Sequence, residues 1–293
     1  MRQPRGSTFE VARWRFLIPD ERRDLSAYLR DELAGEVVAA LEGNRGTPFR
    51  RSRHATTWKV KIAGAAGEQT NIFVKQLDLA RGLAGRAKAI SRAKRSAHVL
   101  RISEELRRAG FGVPRVLLIG ENRDTGNEVI VMSEAPGFML TRWMNPAHHV
   151  ELKLRRRILH QLGTEIARLH RTGYIHGDLT PYNVFALGEY QVAISFIDHE
   201  GTQKISRVSI NRARNRIRNL VQLGHFDIPG VSRSDKMRVF AGYRAAMSLA
   251  GPVQRGMLRR LVKMIERRRS RDRALKHRAA QSAIIAEQGV ARG

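Results

Sequence analysis

The chain has 293 residues and contains no cysteine, so disulfide bonds, thiol catalysis and cysteine-ligated zinc are excluded. Hydrophobic residues make up 42% of the sequence, which indicates a globular protein with a large core rather than a disordered chain. The 54 lysines and arginines outnumber the 27 acidic residues, and the formal charge of +27 predicts attraction to an anionic partner.

The apolar runs are far shorter than the roughly 20 residues that a membrane-spanning helix needs. The run Val129–Met132 is typical of them. Residues 1–23 mix arginine with acidic residues and lack an apolar centre, which argues against a secretory signal. We therefore expect a cytoplasmic protein.

Apolar residues recur at every fourth position between residues 21 and 42, and Gly43-Asn44 follows as a stop signal. The repeating positions are Leu25, Leu29, Leu33, Val37 and Leu41. This periodicity predicts an amphipathic helix. We assign residues 1–45 to an N-terminal helical extension that packs on the following domain.

Two strand-like stretches, Trp58–Ile62 and Asn71–Lys75, predict a β-hairpin because a short Ala- and Gly-rich segment separates them. Lys75 ends the second strand, where a lysine is ordinarily a solvated charge. The turn before the hairpin has no glycine and carries the hydroxyl groups of Ser52 and Thr56.

Residues 79–103 contain basic but no acidic side chains. They form either an electropositive surface for an anionic partner or a solvated helix face, and the sequence leaves both readings open. Further along, the apolar strand Val129–Met132 runs into the turn 133–137. From Leu152 to His170 the apolar residues repeat at three and four, which predicts a long core helix, with Gly173 at its C-cap.

The segment His176–Asn183 lies between two short apolar runs and therefore forms a fixed loop. Phosphoryl transfer needs a carboxylate that orients and deprotonates the attacking hydroxyl, and an oxygen ligand for the metal on the nucleotide phosphates. Asp178 and Asn183 supply this pair, and Asp198 follows at the end of the next strand as a second metal ligand. The alternative is that Asp178 and Asn183 only form turns.

The loop resembles the H-x-D-x-x-x-x-N motif of the protein-kinase-like superfamily. The strings HGDLTPYN from His176, FIDHE from Phe196 and RNLVQL from Arg218 look most like the bacterial lipopolysaccharide core kinases, a group that includes the Kdo and heptose kinases. This resemblance covers residues 45–265. It implies an α+β, two-lobed protein-kinase-like fold, with a small antiparallel-sheet N-lobe and a mainly helical C-lobe.

The resemblance also implies which residues bind ATP. Lys75 would hold the α- and β-phosphates, and Ser52 and Thr56 would lie at the phosphates. Glu134 and Ala135 would border the purine at the hinge between lobes.

For catalysis, the resemblance implies that Asp178 acts with Lys75, and that Asn183 and Asp198 bind Mg²⁺. The helix ending near Gly110 should give a glutamate to Lys75, yet residues 96–100 contain no acid, so we assign this role to Glu104.

The residues around these motifs give information about the acceptor, the molecule whose hydroxyl would receive the phosphoryl group. His176 is expected to be a buried structural histidine. Gly177 replaces the arginine of many phosphorylation-regulated protein kinases, which favours a non-protein acceptor. After Asp198 the chain is basic and free of acid from Lys204 to Arg218, which favours an anionic one.

The domain organisation that follows has four parts. Residues 46–132 form the N-lobe, residues 133–279 form the C-lobe with a basic C-terminal helix, and residues 280–293 form a frayed tail. The helix from Arg255 onward either packs on the C-lobe or lies on an anionic membrane at its inner face.

The resulting hypothesis is a kinase that phosphorylates a sugar hydroxyl of the lipopolysaccharide inner core or of a related anionic glycolipid. One alternative is an atypical Ser/Thr protein kinase. Another is a non-catalytic kinase-like module that binds nucleic acid or membrane. Nucleic acid is disfavoured because the sequence shows no aromatic-basic stacking pattern.

Overall fold

The computed structural model describes residues 5–43, 47–52, 54–64, 67–78, 95–188, 191–205 and 212–290. The chain divides into two compact units. The first is Met1–Pro136 with Ser195–Glu200, and the second is Gly137–Ile194 with Gly201–Gly293. The chain thus leaves the first unit four residues later than the predicted boundary at residue 132, and it returns for the short segment that contains Asp198.

A seven-stranded antiparallel sheet forms the centre of the first unit, in the order β1-β2-β6-β7-β5-β4-β3. Its strands are β1 (Gly6–Val11), β2 (Trp14–Pro19), β3 (Thr47–Arg51), β4 (Ala55–Ala63), β5 (Gln69–Leu77), β6 (Val116–Asn122) and β7 (Glu128–Ser133). The predicted hairpin is β4 with β5, and the predicted strand Val129–Met132 is β7. Lys75 lies on β5 opposite Thr57 and Ile130.

The predicted N-terminal helix is a run of helical turns. It consists of a 3₁₀ turn Asp20–Leu25, α1 (Ser26–Tyr28), a π turn Leu29–Leu33 and α2 (Ala34–Leu41). Leu29, Leu33 and Val37 are buried in one cluster with Val74 and Val131 of the sheet. The helical segment therefore covers one face of the sheet.

The assignment of residues 1–45 to a helical extension needs correction, because Gly6–Pro19 form the β1–β2 hairpin. Trp14, Phe16 and Ile18 alternate along β2 and are all buried. Burial of every second side chain stabilises a strand rather than a helix. These residues are part of the sheet unit itself.

The opposite face of the sheet is covered by α3 (Arg95–Arg108). Val99 and Leu100 pack with Val116 and Ile130 in a second cluster. At the start of α3, the Glu128 carboxylate accepts hydrogen bonds from the backbone N–H groups of Arg95 and Ser96, at 3.1 and 2.8 Å. A carboxylate in this position satisfies free N–H groups and complements the helix dipole. Of the basic stretch predicted at 79–103, residues 79–94 lie outside the described residues.

Helices dominate the second unit. They are α4 (Leu140–Met144), α5 (Leu152–Arg171), α6 (Arg212–Gly224), α7 (Arg233–Ala246) and α8 (Gly251–Val290). Short strands accompany them: β8 (Phe138–Met139), β9 (Tyr174–Ile175), β10 (Val184–Leu187) and β12 (Gln203–Lys204), together with β11 (Ala193–Phe196), whose last two residues belong to the first unit. A sheet unit followed by a helical unit confirms the predicted α+β fold.

The predicted core helix is α5, and it packs closely on α7. A Cβ atom on Gly163 would lie 1.9 Å from the carbonyl oxygen of Val239, so only glycine allows this approach. The start of α7 is fixed by a capping box between Ser232 and Asp235, and Asp235 also accepts a hydrogen bond from Arg155 of α5 at 2.7 Å. This pair of helices is a rigid support for the segment that follows α5.

The basic C-terminal helix α8 packs on the helical unit through one face. Leu261 is buried, and Arg269 donates hydrogen bonds to the carbonyl oxygens of His225 and Phe226 at 2.9 and 3.1 Å. Of the two readings of this helix, the structure shows the packed one. The helix continues to Val290, so the tail predicted to fray from residue 280 is helical over most of its length. Within the described part of the chain, no helix is long and apolar enough to cross a membrane.

Candidate active site

Lys75 is the centre of a charge cluster in the first unit. Its Nζ lies 2.8 Å from Asp198 Oδ1 and 2.5 Å from Glu200 Oε1, and only 16% of its side chain is exposed. Burial by itself lowers the pKa of Lys75, but the two carboxylates outweigh burial and raise the pKa above its ordinary value. Lys75 therefore carries a positive charge throughout the neutral range, as contact with phosphate requires.

Asp198 follows β11 in an unusual backbone conformation, with φ at +67°. Left-handed backbone is disfavoured for residues with a side chain and recurs at functional sites. The segment before Asp198 is fixed, since the Phe196 N–H donates to the Gly112 carbonyl at 2.8 Å and the His199 ring contacts the Phe196 carbonyl at 3.0 Å. These contacts hold the Asp198 carboxylate beside Lys75.

Glu200 was not identified from the sequence. Its Oε2 accepts hydrogen bonds from Arg95, at 2.6 Å from one terminal nitrogen and 3.2 Å from Nε. Burial by itself raises the pKa of Glu200, but Lys75 and Arg95 hold the pKa below its usual value. Two features of the sequence point to Glu200. It is an acidic residue only two positions after Asp198, and α3 has no acidic residue at positions 96–100, where a partner for Lys75 was expected.

The assignment of Glu104 as the partner of Lys75 is wrong. Glu104 instead forms an ion pair with Arg22 at 2.7 Å, with side chains only 5% exposed for Arg22 and 9% for Glu104. Arg22 comes from the 3₁₀ turn before α1, which the sequence placed in a separate extension. A buried carboxylate needs such a partner, and this fold places Arg22 beside Glu104, with Arg107 of α3 farther away at 3.8 Å.

The other predicted nucleotide contacts have clear positions in the first unit. Ser52 Oγ accepts a hydrogen bond from the Ala55 N–H at 3.1 Å, which closes the β3–β4 turn, and Thr56 lies on β4. Glu134 accepts hydrogen bonds from Lys59 and Asn71 at 3.0 and 2.8 Å.

Burial opposes ionisation of Glu134, yet its hydrogen bonds to Asn71 and Lys59 hold the pKa of Glu134 below its usual value. Ala135, the next residue, is buried. The roles of Glu134, Ala135, Ser52 and Thr56 at a nucleotide stay predictions.

Asp178 and Asn183 lie together in the second unit. The Asn183 Nδ2 donates hydrogen bonds to the backbone oxygen of Asp178 at 2.9 Å and to its Oδ2 at 3.1 Å. Asn183 is buried and Asp178 is exposed. The amide thus fixes an exposed carboxylate, and its own Oδ1 is left as an oxygen ligand of the type that Mg²⁺ prefers.

Helix α6 holds the loop from behind. Asn219 Oδ1 accepts the His176 N–H at 3.0 Å, and Gln222 Nε2 donates to the carbonyl oxygen of Gly177. Asn219 also donates to Gln222 at 2.8 Å, so the two side chains act as one brace. They are the two uncharged polar residues of the RNLVQL string, so the bracing of the loop is a physical reason for that part of the motif.

His176 and Gly177 themselves have structural roles. His176 is fully buried, as expected, and its carbonyl accepts a hydrogen bond from Thr202 at 2.9 Å. Gly177 has φ of +81°, and a Cβ there would lie 2.1 Å from the carbonyl oxygen of Gly201. No side chain fits at this point, which is a steric reason for the missing arginine.

The basic segment after Asp198 is partly described. Lys204 lies over the ring of Tyr174 at 5.2 Å, and Arg216 contacts the His170 carbonyl. Arg214 and Arg218 are exposed on α6. Arg207 and Arg212 belong to the predicted segment as well, but the side chains of both lie outside the described residues.

Comparisons with known proteins agree with this geometry. Residues 30–243 match the profile of the lipopolysaccharide kinase (Kdo/WaaP) family. The O-antigen chain terminator bifunctional methyltransferase/kinase WbdD of Escherichia coli is 36% identical over 76 residues, which are 26% of this chain and 10% of WbdD. The KEOPS complex subunit Bud32 of Pyrococcus abyssi is 32% identical over 93 residues, which are 32% of this chain and 38% of Bud32.

The two relatives share only part of their length with this chain, whereas the family match covers most of the chain and includes both charged clusters. It spans Lys75 and Asp198 of the first unit, and Asp178 and Asn183 of the second. The chain therefore belongs to the lipopolysaccharide kinase (Kdo/WaaP) family.

Proposed function

We propose that the protein is an ATP-dependent kinase that phosphorylates a sugar hydroxyl of the lipopolysaccharide inner core or of a related anionic glycolipid. The observation that carries this proposal is the exposed Asp178 carboxylate, which Asn183 fixes from within a loop braced by Asn219 and Gln222. A fixed, solvent-facing carboxylate of this kind is suited to orient a hydroxyl and to take its proton.

Each residue has a distinct task in this reaction. Lys75 binds the α- and β-phosphates through its ammonium group. Asp178 accepts the hydroxyl proton as the acceptor oxygen forms its bond to the γ-phosphorus, while the bond from that phosphorus to the bridging β–γ oxygen breaks and ADP leaves. Asp198 and Asn183 provide hard oxygen atoms for Mg²⁺, which neutralises phosphate charge when bound. Ser52 and Thr56 are proposed phosphate contacts, and the purine is assigned to Glu134 and Ala135.

The anionic character of the acceptor is supported by the charges on α6. Arg214 and Arg218 are exposed on the same helix that braces the catalytic loop with Asn219 and Gln222. Guanidinium groups suit paired contacts with phosphate and carboxylate groups, which are the charged groups of an anionic glycolipid.

The acceptor class can be tested with ATP labelled at the γ-phosphate. Purified protein is incubated with Mg²⁺ and either dephosphorylated core glycolipids or total cell protein, and Asp178→Asn is the matched control. We expect label in glycolipid with wild type and a loss of this label with the variant. Label only in protein would support the Ser/Thr kinase alternative, whereas bound ATP without any transfer would support a non-catalytic module.

We also propose peripheral contact between α8 and an anionic membrane at its cytoplasmic face. The solvent side of α8 carries an exposed set of cations that we call the basic stripe: Arg255, Arg259, Lys263, Arg267 and Arg271. Leu258, Leu261 and Ile265 lie on the opposite, packed side, so over residues 251–275, where the side chains of α8 are described, this apolar side is not available for insertion. Contact must then be electrostatic and sensitive to salt.

The double variant Lys263→Glu/Arg267→Glu is expected to bind phosphatidylglycerol vesicles at least about tenfold more weakly, because each basic residue near such a surface contributes about 1 kcal/mol. Vesicle co-sedimentation at several salt concentrations measures this. Lys61→Glu/Arg13→Glu, which changes exposed residues of the first unit, has the same net charge and should bind like wild type. Equal weakening by both variants would refute a specific stripe, and preferential binding of RNA would favour nucleic acid as the partner.

A further inference from the structure

Helix α3 uses its carboxylates for purposes other than holding Lys75. Glu104 is paired with Arg22 at 2.7 Å, and Glu105 is paired with Arg101 at 2.7 Å. In the described part of the first unit, the carboxylates that contact Lys75 Nζ come from Asp198 and Glu200, which both follow β11. The partner of Lys75 thus comes from a different element than the resemblance implied.

Glu200 is placed to join two cations. It lies in a 3₁₀ turn, His199–Gly201, and its two carboxylate oxygens are divided between Lys75 and Arg95. Arg95 is the first residue of α3, whose start is fixed by Glu128. Arg95 and Glu200 therefore link the start of α3 to the Lys75 ammonium group by direct contacts.

Asp198 has to share its carboxylate between Lys75 and a metal ion. Lys75 contacts Oδ1 of Asp198, and the same carboxylate is the proposed ligand for Mg²⁺, so part of its lone-pair capacity would go to the divalent cation. Glu200 contacts the same Nζ atom of Lys75 independently, through its Oε1. It can hold Lys75 in place while Asp198 is engaged elsewhere.

We infer that Glu200 is the positioning residue for Lys75 and takes the place of the missing helix glutamate, with Arg95 orienting it. This inference rests on the proposed function, because it assigns Lys75 to the nucleotide phosphates. Glu200 itself does not touch the reacting atoms. It acts through Lys75, so its effect must vanish when Lys75 is absent.

A double-mutant cycle tests this dependence. Affinity for a non-hydrolysable ATP analogue is measured at saturating Mg²⁺, by competition with a fluorescent nucleotide, for wild type, Glu200→Gln, Lys75→Met and the double variant. Loss of a charge-assisted hydrogen bond corresponds to about 1.5–3 kcal/mol, so we expect Glu200→Gln to weaken ATP binding by about 10- to 100-fold. The double variant should bind no more weakly than Lys75→Met alone.

Further variants separate positioning from folding. Arg95→Met should reproduce part of the Glu200→Gln effect, Arg95→Lys should restore part of it, and the melting temperature of each variant should stay close to that of wild type. Additive losses in the cycle, or a loss of ATP binding that follows a loss of melting temperature, would overturn the inference while leaving the proposed function intact. A wild-type protein that binds no ATP would overturn both.

Discussion

Replacement of Asp178 by Asn is expected to lower kcat by about 10²- to 10⁴-fold, which is the usual contribution of a positioned general base. The variant keeps the size of the side chain and its contact with Asn183, but it cannot take a proton from the acceptor hydroxyl. KM for ATP should change little, because Asp178 acts on the acceptor. Initial rates of phosphoryl transfer at saturating ATP measure the effect.

A matched control comes from the same loop. Tyr182 is exposed and its ring packs edge-on against Phe226, so Tyr182→Phe keeps this contact and removes only a hydroxyl. We expect this variant to have nearly wild-type rates. If Asp178→Asn retained more than a tenth of wild-type kcat, Asp178 would not be the base.

Replacement of Asp198 by Asn should lower the rate of phosphoryl transfer about as much as Asp178→Asn. Unlike Asp178→Asn, it should also change the Mg²⁺ concentration that the reaction needs. The variant loses a negative charge beside Lys75 and the main proposed metal ligand, and metal-assisted charge stabilisation is worth several kcal/mol. We therefore expect kcat/KM for ATP to fall about 10²-fold or more, with saturation by Mg²⁺ shifted to higher concentration. Rates measured across a Mg²⁺ titration would show both changes.

The control for Asp198 is Asp124→Asn in the same unit. The Asp124 side chain is 64% exposed and forms only a surface ion pair with Arg13, at 3.6 Å. Its removal changes the net charge in the same way without touching the cluster around Lys75. An unchanged Mg²⁺ titration in Asp198→Asn would show that the metal is held elsewhere.

The elements around the active site could be predicted from sequence because their signals are local. The β4–β5 hairpin, α5 and the loop His176–Asn183 each follow from periodicity and turn residues within a short stretch. The pairing of Asp178 with Asn183 is also local, since five positions separate them. Local spacing was sufficient for this half of the site.

The remainder depends on contacts between distant parts of the chain. The alternation of Trp14, Phe16 and Ile18 was visible in the sequence, but β2 becomes part of the sheet only by pairing with β6, more than a hundred residues later. The identity of the acidic residues that contact Lys75 likewise depends on a contact between distant parts of the chain. Glu104 was nearest to the expected position on its helix, but the turn after Asp198 brings Glu200 to the ammonium group.

The β1–β2 hairpin lies before the family match but belongs to the sheet of the first unit. The family match begins at residue 30, yet Trp14, Phe16 and Ile18 are core residues of the sheet unit, and Arg22 neutralises the buried Glu104. A segment cut at the start of the match would turn β6 into an open edge and remove Arg22, which forms the 2.7 Å ion pair with the buried Glu104. The family match therefore begins inside the compact sheet unit, and its first residue is the wrong place to divide this protein.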